Sequence, residues 1–390
     1  MSTDLTLAPP PTDGAGFRID ISSDRRADIE AKQGRVASLL RETGRDGLLL
    51  LAPENVAWLT AGATPRGHID PATEPAVFCT LEGRWVICGN VDSQRLFEEE
   101  LDGQGFQLKE WPWHWGREQF LADLCANRKV ACDRPAAGVE GDVHDVGDRL
   151  ARMRRNLSPY EQACLVALGA NVAHALEATC RTLRQGESER EVAGQVGHRL
   201  MHRGLYPVHV GVAADGRSRQ YRRFGFTATP IDRYAVLVAT ARKYGLHVTA
   251  SRTVCFGEAP EELTSEHAAV VRVSACYLAS TYPDALPREV ISAGRRIYLL
   301  SGYEHDWLLA PQGHVTGRQA VEVNFTPHTE ELLEPGWAVT WGASVGAAVS
   351  CDTYLVTEGG PRPVTPPEAW PVKRIRIQGA DCIRPDILVR

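Results

Sequence analysis

Residues Leu333–Thr365 read LEPGWAVTWGASVGAAVSCDTYLVTEGGPRPVT. A Pro-Gly turn at Pro335-Gly336 leads into one apolar strand, and a second runs through Asp352-Thr353 to the glycines at 359 and 360. Upstream, VATARKYGLHVTASRT (Val238–Thr253) alternates apolar positions on both sides of Lys243-Tyr244-Gly245, where Gly245 can supply the turn of a hairpin. Two helix starts precede these strands. Ser158-Pro159-Tyr160-Glu161 places Ser at the N-cap, Pro first in the helix and Glu third, and Ser188 to Glu191 repeats the box. The first of these helices is expected to reach Gly186. Two helices, strands over about 207–256, helices over about 261–302 and strands to the end describe an α+β domain.

The first half alternates differently. DIEAKQGRVASLLRETG is an amphipathic helix stopped by Gly44, DGLLLLA and RKVACD are buried strands, and AVFCTLEGRWVICGN is a hairpin. The expected organisation is a flexible tail over 1–24, a smaller α/β domain over 25–152 and a larger domain over 153–390. A chain of 390 residues favours two cores over one. Its 43% hydrophobic and 24% charged residues suit a folded globular protein, and a net charge of −6 argues against nucleic acid or a membrane surface as partner. The N-terminus, MSTDLTLAPPPTDGAG, has neither the basic nor the apolar segment of a secretory signal, so a cytoplasmic location is expected. Ten cysteines from Cys79 to Cys382 include no Cys-x-x-Cys pair, which favours reduced, buried thiols.

The second half resembles the pita-bread fold of methionine aminopeptidases, prolidases and creatinases. The first half resembles the smaller α/β domain that precedes it in creatinase- and prolidase-type members. PENVAWLTAG, MRRNLSPYEQ, QGHVTG (Gln312–Gly317) and the opening stretch carry the likeness, which covers roughly residues 25–365. The resemblance implies a site where two Asp, one His and two Glu would hold two divalent cations that activate a bridging water. Placed on this chain, those ligands fall on Val238, Thr249, His314, Gly342 and Cys351. One imidazole does not make a dinuclear centre, so no metal and no cofactor is expected. A bacterial branch of the fold that lacks the ligands is also similar. It has a YGL hairpin turn and a Gln-Gly-Gly loop, from which Gly313-His314 departs.

Chemistry is therefore expected from organic side chains. The resemblance places a substrate-contacting residue near Tyr221, His209 lies on the preceding strand, and His247 and His314 complete the candidate acid–base groups. Among Arg222, Arg223, Arg242, Lys243 and Arg252, the apolar surroundings of Arg223 and Arg252 favour gripping a carboxylate. Thr249, Trp341, Asp352 and Cys351 are further candidate substrate contacts; alternation turns Asp352 away from Cys351. The expected activity is that of a metal-independent enzyme on a carboxylate-bearing small molecule, splitting a C–N bond. A lyase or cyclase, or an inactive pseudo-peptidase that only binds, are the alternatives, and the family likeness implies a homodimer.

Overall fold

The computed structural model describes residues 21–63, 74–135, 137–377 and 379–390. The tail expected over 1–24 lies outside the described residues as far as 20, and its last four residues belong to the helix Ile21–Thr43. Two compact units emerge, one of residues up to Arg154 together with Ser158–Ala163, the other of Arg155–Leu157 and Cys164–Arg390.

The described residues of the first unit form six strands: β1 (Gly47–Leu50), β2 (Ala76–Cys79), β3 (Arg84–Gly89), β4 (Gln107–Trp111), β5 (Val130–Cys132) and β6 (Val143–Asp145). They form one sheet in the order β4-β3-β2-β1-β5-β6, with β2 and β3 the hairpin read in the sequence. The helix Ile21–Thr43 ends where Gly44 takes φ +63°, a left-handed angle that favours glycine. Asp133 at the end of β5 accepts hydrogen bonds from Leu51 N (2.9 Å), Ala52 N (3.0 Å) and Asn55 Nδ2 (2.9 Å), which pins the start of the helix Pro53–Leu59.

The second unit carries β7 (Tyr206–Ala214), β8 (Tyr234–Lys243), β9 (Leu246–Cys255), β10 (Gly313–Thr316), β11 (Val323–Asn324), β12 (Ala338–Val345), β13 (Ala348–Thr357), β14 (Gly360–Pro363), β15 (Val372–Ile377), β16 (Ala380–Pro385) and β17 (Ile387–Val389). One sheet runs β17-β9-β8-β7, a second β11-β10-β12-β13-β14, and β15 pairs with β16 alone. The helix Pro159–Thr182 ends before the expected Gly186, and Glu189–His202 begins with the capping box of Ser188 and Glu191. The helix Glu261–Ala279 packs on β12 and β13, and the main apolar core lies between them, with Tyr277, Trp341 and Tyr354 buried in it. This is an α+β domain. Among the described residues one helix, Pro159–Thr182, is long and apolar enough by composition to cross a membrane, and most of it is buried inside the structure.

Turn chemistry fixes the register on which the site depends. Tyr244 (φ +52°) and Gly245 (φ +72°) both take left-handed angles, the signature of a two-residue type I′ hairpin turn between Lys243 and Leu246. That turn sets Thr240 opposite Thr249 and Val238 opposite Ser251. The two sheets meet along β9 and β13 through side-chain oxygens. Thr353 Oγ1 accepts from Thr249 N (3.1 Å) and donates to Thr249 O (2.9 Å), while Ser251 Oγ accepts from Cys351 N at 2.8 Å. All ten cysteines are free thiols, every one buried except the half-buried Cys351.

Candidate active site

A cavity of about 520 Å³ opens in the second unit between the two sheets. That volume suits a drug-sized organic molecule. Thr240 and Val238 reach it from β8, Thr249 from β9, His314 from β10, and Thr340 and Gly342 from β12. Cys351 and Val349 add the wall on β13, and the segment Arg222–Phe224 closes another side.

Two imidazoles face this space. The β7–β8 ladder slips between Pro207 and His209, a bulge that leaves Val208 unpaired and re-aims the following residue. His209 lines the cavity; burial lowers its pKa, opposed by a hydrogen bond to the Phe224 carbonyl. His314 sits on β10 between Asn324 and Thr340, on a strand rather than in the glycine-bounded loop its sequence suggests. Burial pulls its pKa down to about 4 against a hydrogen bond to the Ala320 carbonyl, so the ring is neutral at pH 7. In each ring one nitrogen carries the proton committed to a carbonyl, and the other offers a lone pair.

The hydroxyls between them are largely satisfied by one another. Thr240 Oγ1 and Thr249 Oγ1 are 2.8 Å apart, and Thr340 Oγ1 lies 3.0 Å from Thr353 Oγ1. Arg222 is tied down, donating to the Gly346 carbonyl (2.7 Å) and pairing with Asp306. Arg223 is exposed on the cavity wall, and among the described residues no hydrogen bond or ion pair engages it.

Several expected site residues lie elsewhere. Arg252 is fully buried, with Nε on Glu177 (3.0 Å), Nη1 on Asp352 (3.1 Å) and the Ser251 carbonyl (2.8 Å), and Nη2 on the Thr365 carbonyl (3.2 Å). With four of its five N–H groups engaged and the side chain sealed from solvent, this guanidinium is out of a substrate's reach. Asp352 points away from the cavity between Arg252 and Arg384, and Thr365 Oγ1 donates to it at 2.9 Å. Trp341 is buried against Tyr277 (centroids 4.9 Å apart) and Phe325 (5.0 Å), with its indole N–H on Thr281 Oγ1. Its ring also explains Gly313, where a Cβ would come within 2.4 Å of the indole. His247 is buried behind the site, its Nδ1 at 3.2 Å from the Gly317 carbonyl, and Tyr221 is 54% exposed under the Arg217 guanidinium. None of these five lines the cavity. Cys351 does line it, but burial pushes its thiol up to about 12, which leaves no thiolate for nucleophilic attack at neutral pH.

Thr240 and Thr340 are lining residues that sequence reading passed over. The two-residue turn at Tyr244-Gly245 gives Thr240 by counting back from Thr249, and alternation from Gly342 gives Thr340.

The five positions where the fold's relatives would place metal ligands all line this cavity. They supply an isopropyl group, a hydroxyl already bonded to Thr240, one neutral imidazole, a bare glycine and a protonated thiol. Two close divalent cations call for several anionic oxygens, so this donor set does not fit them. Among the described residues no group of three or more His, Cys, Asp or Glu is placed to hold a metal ion.

Comparisons with known proteins agree with the architecture. The profile of metallopeptidase family M24 matches residues 163–358, half of the chain. A prolidase from Pyrococcus horikoshii is 18% identical, superposes with a TM-score of 0.73, and covers 88% of this chain and 99% of its own. The Xaa-Pro dipeptidase from Bacillus anthracis is 17% identical with a TM-score of 0.74, over 93% of this chain and 100% of its own. The N-terminal domain of the FACT complex subunit SPT16 from chickpea also superposes, at 10% identity and a TM-score of 0.64, over 90% of this chain and 98% of its own. At such identities the likeness shows the pita-bread fold alone. No curated protein matches the chain.

Proposed function

We propose that this chain, which belongs to metallopeptidase family M24, is a metal-independent enzyme that hydrolyses a C–N bond in a small carboxylate-bearing molecule. The observation that carries the reading is the pairing of His314 and an unengaged Arg223 on one cavity whose metal-ligand positions hold no carboxylate. Arg223 holds the substrate anion. The lone pair of His314 takes a proton from the attacking water and passes it to the leaving nitrogen. A pKa near 4 makes neutral His314 a weak base but its imidazolium a strong acid, so proton delivery to the leaving group is the step it favours. His209 supplies a second lone pair on the same cavity. Tyr221 and Arg252 lie off the cavity and take no part in this chemistry.

Turnover of N-acyl amino acids and guanidino acids, followed by mass spectrometry in the presence of a chelator, tests the reading. Chelator-insensitive hydrolysis is expected, with one oxygen taken from labelled water. His314→Ala is expected to lose about 100-fold or more in kcat while keeping the fold. An unchanged kcat in that variant removes His314 from the chemistry. A product without the label points instead to a lyase or cyclase. A second reading, binding without turnover, is favoured by the mutually bonded threonines, which leave little to activate a water; it predicts affinity for acids and no product.

A further inference from the structure

We propose that the cavity takes a carboxylic acid with a single charged head and an apolar body, the head at Arg223 and the body along Val238, Val349 and Gly342. The inference rests on the anion-binding reading above and adds what the rest of the ligand must be.

Three observations support it. Val238 and Val349 both pack on the small apolar cluster of Ala213, Phe224 and Val236, so Val238, Val349 and Phe224 form one continuous apolar wall of the cavity. Gly342 extends that wall without filling it, since a Cβ there would meet only Cys351, with Sγ at 3.5 Å and Cβ at 3.9 Å. A position that would carry a carboxylate in a metal-binding relative is here open space beside a protonated thiol.

The second observation concerns donors, which an anion needs. Thr353 Oγ1 accepts from Thr249 N and donates to Thr249 O, so its remaining lone pair receives the Thr340 hydroxyl proton. The Thr240–Thr249 pair retains one hydroxyl hydrogen at most. Ser218 Oγ donates to the Ala347 carbonyl at 2.6 Å, and both imidazole N–H groups go to carbonyls. Ser344 Oγ, also on the lining, is the exception and has no partner, while the Arg222 guanidinium is already paired with Asp306. The interior therefore offers few donors and no unpaired cation beside its acceptors and apolar surface, so a second carboxylate placed there would mostly face lone pairs and hydrocarbon. The third observation is the location of the unengaged cation. Arg223 is exposed, with the exposed Asn324 also on the lining, so the charged end of a ligand keeps contact with water. Charge outside and hydrocarbon inside is the arrangement with the smallest desolvation cost.

Calorimetric titration of the full chain with straight-chain monocarboxylates from butanoate to decanoate, and with the dicarboxylates of matching length, tests this. The monocarboxylate Kd is expected to fall about fourfold per methylene until the cavity is filled, and the dicarboxylates to show no such gain. Gly342→Val, a β-branched residue suited to a strand, should weaken the long acids at least tenfold and butanoate little; Gly342→Ala gives a smaller effect of the same kind if the valine variant does not fold. Arg223→Gln should weaken every acid. If affinity is independent of chain length, or the dicarboxylates gain equally, while Arg223→Gln still weakens all of them, the apolar body is wrong and the anion reading stands. If no acid binds, or Arg223→Gln changes nothing, both fall together.

Discussion

Arg252→Ala is expected to cost about 3–5 kcal/mol of folding stability, the range for removing one partner of a buried ion pair. The side chain is fully buried, and its loss leaves buried Glu177 with only the more distant Arg181 (3.7 Å) and buried Asp352 with only Arg384 as cations among the described residues. The Ser251 and Thr365 carbonyls lose donors as well. Arg252→Lys is expected to rescue little, because one ammonium cannot reach four acceptors spread around a planar fork. Urea unfolding of the variants measures this directly. A loss below about 1 kcal/mol would mean that the network is as weak as a surface pair and that Arg252 is available for another task. Replacing Arg252, Glu177, Asp352 and Arg384 together by apolar residues of similar volume is expected to cost far less than the single change, since the penalty lies in the orphaned charge and this set leaves no buried charge without its partner.

The second large effect is acid lability well above the pH at which carboxylates titrate. Burial holds His247, His267 and His314 down at about 4, against 6.5 for a free imidazole. Between those values the unfolded chain takes up protons that the native state refuses. Stability is therefore complete above 6.5 and declines as the pH falls toward 4. For His247 and His314 the loss between pH 7 and pH 5 is about 2 kcal/mol each, and His267, beside Asp386 and Lys373, adds to it in the same direction. Asp133 and Glu266, whose carboxyls burial raises, act in the opposite sense. Denaturation midpoints at pH 7 and pH 5 check the prediction, and His247→Asn should flatten the slope between them. Equal midpoints at the two pH values would show that these imidazoles titrate normally.

Where local chemistry decides an outcome, the sequence was readable. The capping boxes at Ser158 and Ser188 form as their spacing dictates, with Glu161 N on Ser158 Oγ (3.2 Å) and Glu191 N on Ser188 Oγ (3.3 Å). The Tyr244-Gly245 turn fixed the hairpin register, and the resemblance brought Val238, Thr249, His314, Gly342 and Cys351 to one cavity. Separating Arg223 from Arg252 needed more. Both stand among apolar neighbours, and only Glu177, Asp352 and Thr365, 75 to 113 residues distant along the chain, show that Arg252 is already occupied. Strand β9 lies between β8 and β17 and is buried on both faces, so alternation gives no sign of which of its residues meet the cavity. His247 was misread for the same reason. Trp341 belongs to the core for a related one, because its neighbours on β12 face the cavity while its own ring fills the opposite side.

The seam of hydroxyls between β9 and β13 bears on how ligands for this protein are to be found. Val238 and Thr249 belong to one sheet, His314, Gly342 and Cys351 to the other, and Ser251 and Thr353 span the gap with single oxygens. A molecule seated in the cavity touches both sheets at once and becomes an additional rivet across a joint that has no backbone ladder of its own. Its binding energy is then gained only while the two sheets stay registered, so occupancy raises the melting temperature in proportion to RT ln(1 + [L]/Kd). Thermal-shift screening of a metabolite library would thus report on this cavity even where no reaction is yet known, and Thr353→Val, which loosens the seam, should shrink the shift that each true ligand produces.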